Sequence, residues 1–379
     1  MEKIVNSIST TLFLVVAIII AWQTIAPFAE QKKLKGSVVE TQTPELNLKN
    51  VLSGDFTTKI DTWVSNNLGF RESLVRFQND LNYRLFKDVS RNGTRIVLGK
   101  DNWLYEYGYI ANAMSKGYLD ENAVSLFSDG LLQVQGFCQS KRADFFVVTA
   151  PSKVILYPEY LSDGYQKRII KQSNKDYQMS VKAFRQKGVN FIDGPKWFAE
   201  KKIQLNKYPL FSPGGTHWGL MAGFQFLEYS IDQINKSPHV FIEKPQLQSI
   251  EYSQIKDADS DILNLLNFNK TTDFKRDMPF PVIAKNNQPL DTKIVIIGDS
   301  FAWLIVDHLR AANPSLKIDM YYYLQTKHEF RASGIKRSPV ENFSFEEIVD
   351  EGDIVLAICN EAAIYSLYWR FYETLDPRL

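Results

Sequence analysis

The sequence predicts an α/β protein: a mostly parallel central sheet covered by helices on both faces, carried behind a single N-terminal transmembrane helix. Three observations predict it. Continuous apolar runs such as DFFVVT (Asp144–Thr149), KIVII (Lys293–Ile297) and DIVLAI (Asp353–Ile358) read as strands buried on both faces. Segments with apolar residues at helical spacing fall between them. One long charge-free stretch opens the chain. The 379 residues, 45% hydrophobic and 23% charged, supply a core for one large domain or two ordinary ones.

From Ile4 to Ala29 there is no charged residue, and Leu12–Ile20 is unbroken apolar. A helix needs about 20 such residues to cross a bilayer. A cleaved signal peptide is the competing reading, since Leu12–Trp22 also suits a signal's apolar region. Pro27 crowds the small residues Ala26 and Ala29 that cleavage would use, so an uncleaved anchor is preferred. Lys3 precedes the span, whereas Lys32, Lys33 and Lys35 follow it, so charge counting does not assign the sides. Residues 1–29 are thus read as anchor or signal, 30–54 as a polar linker and 55–379 as the soluble domain.

Within that domain, Ile60–Phe86 has helical spacing (Leu68, Leu74, Phe77, Leu81, Leu85) and predicts one or two helices. Arg95–Leu98 predicts a short strand and Ala123–Gln139 a helix. After the strand DFFVVT come a helix at Gln178–Gln186, a strand at Val189–Ile192 and a helix at Leu220–Ile234. Pro238–Pro289 shows no clean pattern and is expected to be loops and small elements. The strand KIVII leads into a helix at Ala302–Ala312, and further strands are expected at Lys317–Tyr321 and DIVLAI. Lys plus Arg is 44 against 43 for Asp plus Glu, which argues against a nucleic-acid binder. Two Cys and four His leave no structural zinc site or disulfide scaffold, and Cys138 and Cys359 read as small buried residues.

Ligands on such sheets gather at the carboxyl ends of strands, and three segments there carry chemistry. KIVII runs into Gly298-Asp299-Ser300-Phe301 and at once into a helix. A Ser on a strand-to-helix turn presents its hydroxyl at the sheet edge beside helix N–H groups, which suits a nucleophile with an oxyanion site. It equally suits a helix cap. After DIVLAIC stands Asn360, either an amide facing the same crevice or another cap. Gly214-Gly215-Thr216-His217-Trp218 opens a helix, and His217 is the best-placed base, because His239, His308 and His328 lie in poorer positions. Trp103 and Tyr105 are read as a packed turn in preference to a sugar platform.

GDSF after a buried strand, with THW opening a helix some eighty positions earlier, resembles the SGNH-hydrolase-like domain of the AlgJ/AlgX-like alginate O-acetyltransferase family. Phe70-Arg71-Glu72-Ser73-Leu74, Gly99-Lys100-Asp101-Asn102-Trp103-Leu104-Tyr105, Ala150-Pro151-Ser152-Lys153 and Tyr157-Pro158-Glu159 resemble further family segments in the same order. The likeness covers about residues 55–370, and the anchor makes the chain look more like AlgJ. It implies an SGNH-hydrolase-like three-layer sandwich and an O-acetyltransferase acting on an exopolysaccharide outside the cytoplasm. Ser300 would carry the acetyl group, His217 would act as base, and the Ser300 N–H with Asn360 would hold the oxyanion beside Asp299. No cofactor or metal is implied. The implied partners are a polysaccharide acceptor and a membrane-bound O-acyltransferase that relays acetyl groups. The implied location is the cytoplasmic membrane, single-pass, with the domain facing the periplasm or exterior. An acetylesterase and a non-catalytic polysaccharide-binding subunit are the alternatives. One departure stands out: the family has Asp-Thr-His-Trp, and Gly215 occupies the position of the Asp. Either another carboxylate serves, or activity is low, or the domain only binds; Asp193, ending a neighbouring strand, suits such a partner of His217 and equally suits a cap on the turn before Gly194.

Overall fold

The computed structural model describes residues 2–36, 41–89, 95–172, 174–204, 209–286 and 292–375. The chain forms two compact units: residues 1–92 with 263–272, and residues 93–262 with 273–379. Residues 55–92 fall in the first unit, with residues 1–54.

The smaller unit is helical. Helix α1 (Glu2–Ile25) contains a stretch, Asn6–Ile25, with mean hydropathy 2.1, long and apolar enough to cross a membrane. The expected linker holds a short α2 (Leu48–Leu52), and the expected helical run is two helices, α3 (Asp55–Asn67) and α4 (Arg71–Phe86). They part at Gly69, where any Cβ would meet the Ile20 carbonyl at 2.4 Å.

The larger unit opens with a hairpin of β1 (Ile96–Leu98) and β2 (Leu104–Glu106), then α5 (Tyr107–Ala113) and α6 (Glu121–Ser140). Next come β3 (Asp144–Ala150), α7 (Lys153–Leu156), α8 (Asp163–Gln172), α9 (Lys175–Lys187), β4 (Phe191–Asp193), α10 (Gly194–Gln204) and α11 (Leu220–Ile234). The segment without a sequence pattern forms a hairpin of β5 (Gln246–Gln254) and β6 (Asp277–Ala284), interrupted by a 3-10 turn (Asp257–Ser260) and α12 (Asp261–Leu265). The chain ends with β7 (Lys293–Gly298), α13 (Ala302–Ala312), β8 (Lys317–Tyr322), β9 (Thr326–Arg331), β10 (Gly334–Pro339), α14 (Phe345–Ile348) and β11 (Ile354–Asn360). A 3-10 segment, Glu361–Thr374, follows.

Seven strands form the central sheet in the order β10-β9-β8-β7-β11-β3-β4. From β8 to β4 every pair is parallel, and β9 and β10 add an antiparallel edge. The alternation of strand side chains divides the core in two, as a sheet buried on both faces requires. On one face Phe146, Val148, Ile296, Leu356 and Ile358 pack with α10, α11 and α13 through Phe198, Phe226 and Ile305. On the other, Phe145, Val147, Val295, Ala357 and Cys359 pack with α6, α9 and the final segment through Phe127, Phe184 and Tyr368. The three-layer α/β architecture predicted by the buried runs is the observed one. Cys138 and Cys359 are buried free thiols, and burial pushes both above the ordinary thiol range. His328 is buried in β9, where its ring meets Trp303 edge to face.

β11 lies between β7 and β3, and from this trio the chain winds outward both ways, to β8 and to β4. That is a topological switch point, and the carboxyl ends of β7 and β11 open beside it.

Candidate active site

β7 ends at Gly298, whose hydrogen leaves room that a Cβ would lose to Ala302 Cβ at 2.9 Å and the Ile358 carbonyl at 3.2 Å. The following Asp299 is buried. One carboxylate oxygen accepts the Phe301 N–H at 2.9 Å, the other the Asn360 N–H at 2.7 Å. It thereby holds the turn that leads into α13 and fastens β7 to β11. Burial raises its pKa to about 6, against the pull of those two N–H groups and of His217. Ser300 makes no side-chain cap bond to α13. Its hydroxyl lies 2.8 Å from His217 Nε2.

His217 is held by its neighbours. Trp218 is fully buried and stacks on Phe198 at 5.5 Å and 7°. The His217 ring itself rests against Phe301, with centroids 4.8 Å apart. Thr216 donates its hydroxyl to Glu106 at 2.7 Å, tying the loop to β2. Beneath it, Lys153 donates to the carbonyls of Ser212 (3.1 Å), Pro213 (3.3 Å) and Gly215. Burial pulls that ammonium down to about 7, while Asp261, Glu106 and Asp259 oppose the fall.

The partner of His217 Nδ1 is Asp261, at 2.5 Å through Oδ2. Its other oxygen accepts the Thr216 N–H at 2.7 Å and the Ile262 N–H at 2.6 Å. Those two donors fix the carboxylate, which in turn keeps the imidazole proton on Nδ1 and leaves Nε2 to accept from Ser300. Burial alone would lower the His217 pKa. The hydrogen bond and charge of Asp261, with Asp299 and Glu106 behind, outweigh it and raise the value.

Gly215 has a steric reason. A Cβ there would meet the Ala258 carbonyl at 2.4 Å and the Asp259 Cα at 3.2 Å. The 3-10 turn before α12 thus occupies the space that any side chain at position 215 would need, and Asp261 follows directly on that turn. The turn is pinned there by Ser212, which donates to the Asp259 carbonyl at 2.5 Å.

Two expected site residues are placed elsewhere. Asp193 does not approach His217, because β4 is the sheet's edge with β3 and β11 between it and β7. Its carboxylate accepts from Tyr177 Oη at 2.5 Å, from Arg185 at 2.7 Å and from the Lys196 N–H at 3.1 Å. The Asn360 side chain is not turned to the crevice as an oxyanion donor. It accepts the Ala362 N–H at 2.9 Å and donates to the Pro151 carbonyl at 3.0 Å, which caps the final segment. Tyr323, absent from the expected set, lies near enough to Ser300 for the Ser300 hydroxyl and N–H to pull its pKa down. Burial and then Asp299 push its pKa up to about 12. Trp103 and Tyr105 are buried and Trp103 stacks on Tyr160 at 4.1 Å, so they form a packed turn and no sugar platform. Among the described residues no group of three His, Cys, Asp or Glu is arranged to hold a metal.

Asp261 carried little sequence signal. It closes the run Asp257-Ala258-Asp259-Ser260-Asp261, 44 positions beyond His217, and no spacing rule links the two.

A Ser–His–Asp relay at the carboxyl edge of a mostly parallel sheet defines the geometric class of the serine acyl-transfer and hydrolase sites. No family model and no curated protein matches this sequence. Among solved structures, the chain is similar to the O-acetyltransferase domain of Pseudomonas putida AlgJ, at 14% identity over 74% of this chain and 99% of that one, with TM-score 0.41. It is also similar to Pseudomonas aeruginosa AlgX (15%, 74% and 67%, TM-score 0.40) and to Bacillus cereus PatB1 (14%, 74% and 99%, TM-score 0.45).

Proposed function

We propose that this chain is a membrane-anchored O-acetyltransferase that acetylates a polysaccharide outside the cytoplasm through an acetyl-Ser300 intermediate. The observation that carries the reading is the continuous Ser300–His217–Asp261 hydrogen-bond relay. In the first half-reaction Ser300 Oγ attacks the carbonyl carbon of the acetyl donor and gives its proton to His217 Nε2. The donor's leaving oxygen takes that proton as its bond to the acetyl carbon breaks. In the second, a sugar hydroxyl loses its proton to His217 and attacks the ester, and Ser300 recovers a proton as it leaves. Asp261 stabilises the imidazolium in both halves. The Tyr323 hydroxyl beside Ser300 donates to the developing oxyanion. The acetyl donor on this reading is a membrane-bound O-acyltransferase that passes acetyl groups across the bilayer, with α1 keeping the domain near it.

An activated acetyl ester such as p-nitrophenyl acetate tests the reading. The wild-type chain should release a burst of nitrophenol equal to the enzyme present and carry one acetyl group on the Ser300 peptide. Ser300→Ala and His217→Ala should abolish the burst. Unchanged acetylation in Ser300→Ala overturns the proposal.

A further inference from the structure

Helix α4 is built inside out. Its buried side chains are Arg76, Asn79 and Tyr83. Four of its apolar ones face outward: Leu74 is 44% exposed, Phe77 64%, Leu81 43% and Leu85 63%. At 3.6 residues per turn these four fall within about 80° of one another, so they form one stripe along a helix about 24 Å long. A soluble surface helix shows the reverse arrangement.

The polar face is used. Arg76 donates to the carbonyls of Lys32 and Lys33 at 2.6 and 2.8 Å, and Asn79 donates to the Leu266 carbonyl at 2.9 Å. Asp80 accepts from Asn269. These bonds fix the rotation of the helix and hold the stripe outward. Sequence alone does not expose this, because the same apolar spacing would ordinarily mark the core side.

The neighbourhood of the stripe indicates what covers it. α4 starts at the foot of the apolar span. The Gly69 N–H donates to Thr24 Oγ1 in the last turn of α1 at 2.7 Å, and Phe28 meets Phe70 edge to face at 5.9 Å. Gln31, six residues past α1, accepts from Ser73. Exposed apolar residues extend through the same unit at Leu46, Leu48, Val51, Leu52, Val64 and Leu68. The corner between α3 and α4 is therefore held where a spanning α1 would leave the bilayer.

We propose that the Leu74–Phe77–Leu81–Leu85 face of α4 lies in the membrane interface, with its side chains among the upper acyl chains and headgroups of the leaflet from which α1 emerges. Interfacial helices seat an apolar face about 5–10 Å into that boundary. The inference rests on α1 being a retained anchor. Its consequence is that the unit joined to the span is fixed against the lipid surface and does not swing on a free tether.

The test uses the full chain with single cysteines carrying an environment-sensitive fluorophore, reconstituted in phosphatidylcholine vesicles with a minor fraction of phosphatidylglycerol. Cys138 and Cys359 are buried, so the introduced thiols are the ones labelled. Val15→Cys reports α1, Leu81→Cys the stripe, and Ser333→Cys an exposed position on the larger unit. The Leu81→Cys label should be quenched by lipids bearing a nitroxide high on the acyl chain. Aqueous iodide should quench it at least about fivefold less than the Ser333→Cys label. If iodide quenches both labels alike, the stripe faces water and the proposal fails. If neither quencher reaches the Leu81→Cys label, protein covers the stripe and the proposal also fails. In both cases nitroxide quenching of the Val15→Cys label shows the anchor standing. Loss of quenching there sinks the anchor reading itself, and the inference with it.

Discussion

Asp261→Asn is the sharpest perturbation of the relay. The wild-type carboxylate accepts two backbone N–H groups on Oδ1 and faces His217 Nδ1 with Oδ2. An amide must keep its oxygen toward those two N–H donors, because turning its NH₂ to them would oppose donor to donor. Its nitrogen then faces Nδ1 and forces that atom to accept. The imidazole proton moves to Nε2, which can no longer take the proton of Ser300. Loss of the correct tautomer in a serine triad costs about 10^4-fold in kcat, or about 5 kcal/mol at 1.36 kcal/mol per decade. The shape is conserved and two of three hydrogen bonds survive, so the melting temperature should move by only a few degrees. Steady-state turnover of p-nitrophenyl acetate against pH is the assay. The wild-type rate should rise with pH as His217 loses its proton, with a midpoint above the ordinary histidine value because Asp261 holds that proton. The residual activity of the variant should show that limb shifted to lower pH. Asp193→Asn should leave both rate and limb in place. A folded Asp261→Asn enzyme that keeps more than about a tenth of wild-type kcat refutes the assignment.

Two further outcomes follow from the same geometry. Gly215→Asp, which places a second carboxylate two residues before His217, should not raise the rate. Its Cβ meets the Ala258 carbonyl, so it should cost about 1–3 kcal/mol in denaturant unfolding and displace Asp261, and a faster, equally stable enzyme would contradict this. Glu361 is fully buried and burial raises its pKa to about 8, with Ser152 opposing, so it stays protonated in the fold while the unfolded chain ionises from about pH 4.5 upward. The folded state should therefore lose stability between about pH 4.5 and 8, by up to about 1.4 kcal/mol per pH unit, and then level off. Glu361→Gln should raise the melting temperature at pH 8 and leave it nearly unchanged at pH 4.5; an equal effect at both values counts against a neutral Glu361.

The strands and helices that build the sheet were legible because a strand buried on both faces has to be apolar throughout. DFFVVT, KIVII and DIVLAI advertise themselves, and Leu220–Ile234 and Ala302–Ala312 carry the helical period to their ends. Ser300 and His217 were legible for a related reason, since each sits where a buried element meets a turn and local chain geometry decides its direction. The exposed strand β5 and the antiparallel edge had no such signature. The partner of His217 depended on neither local geometry nor spacing. Asp261 reaches the imidazole only because a hairpin excursion folds a 3-10 turn over Gly215, a contact 44 residues long in sequence that periodicity does not encode. Asn360 and Asp193 meet the same limit: their positions at strand ends are readable, but which hydrogen bonds their side chains take is set by Pro151, Ala362, Tyr177 and Arg185. The outward stripe of α4 is the clearest division of labour. Sequence fixes that Leu74, Phe77, Leu81 and Leu85 share a face, whereas Arg76 and Asn79, by finding buried carbonyls, decide that this face is the outer one.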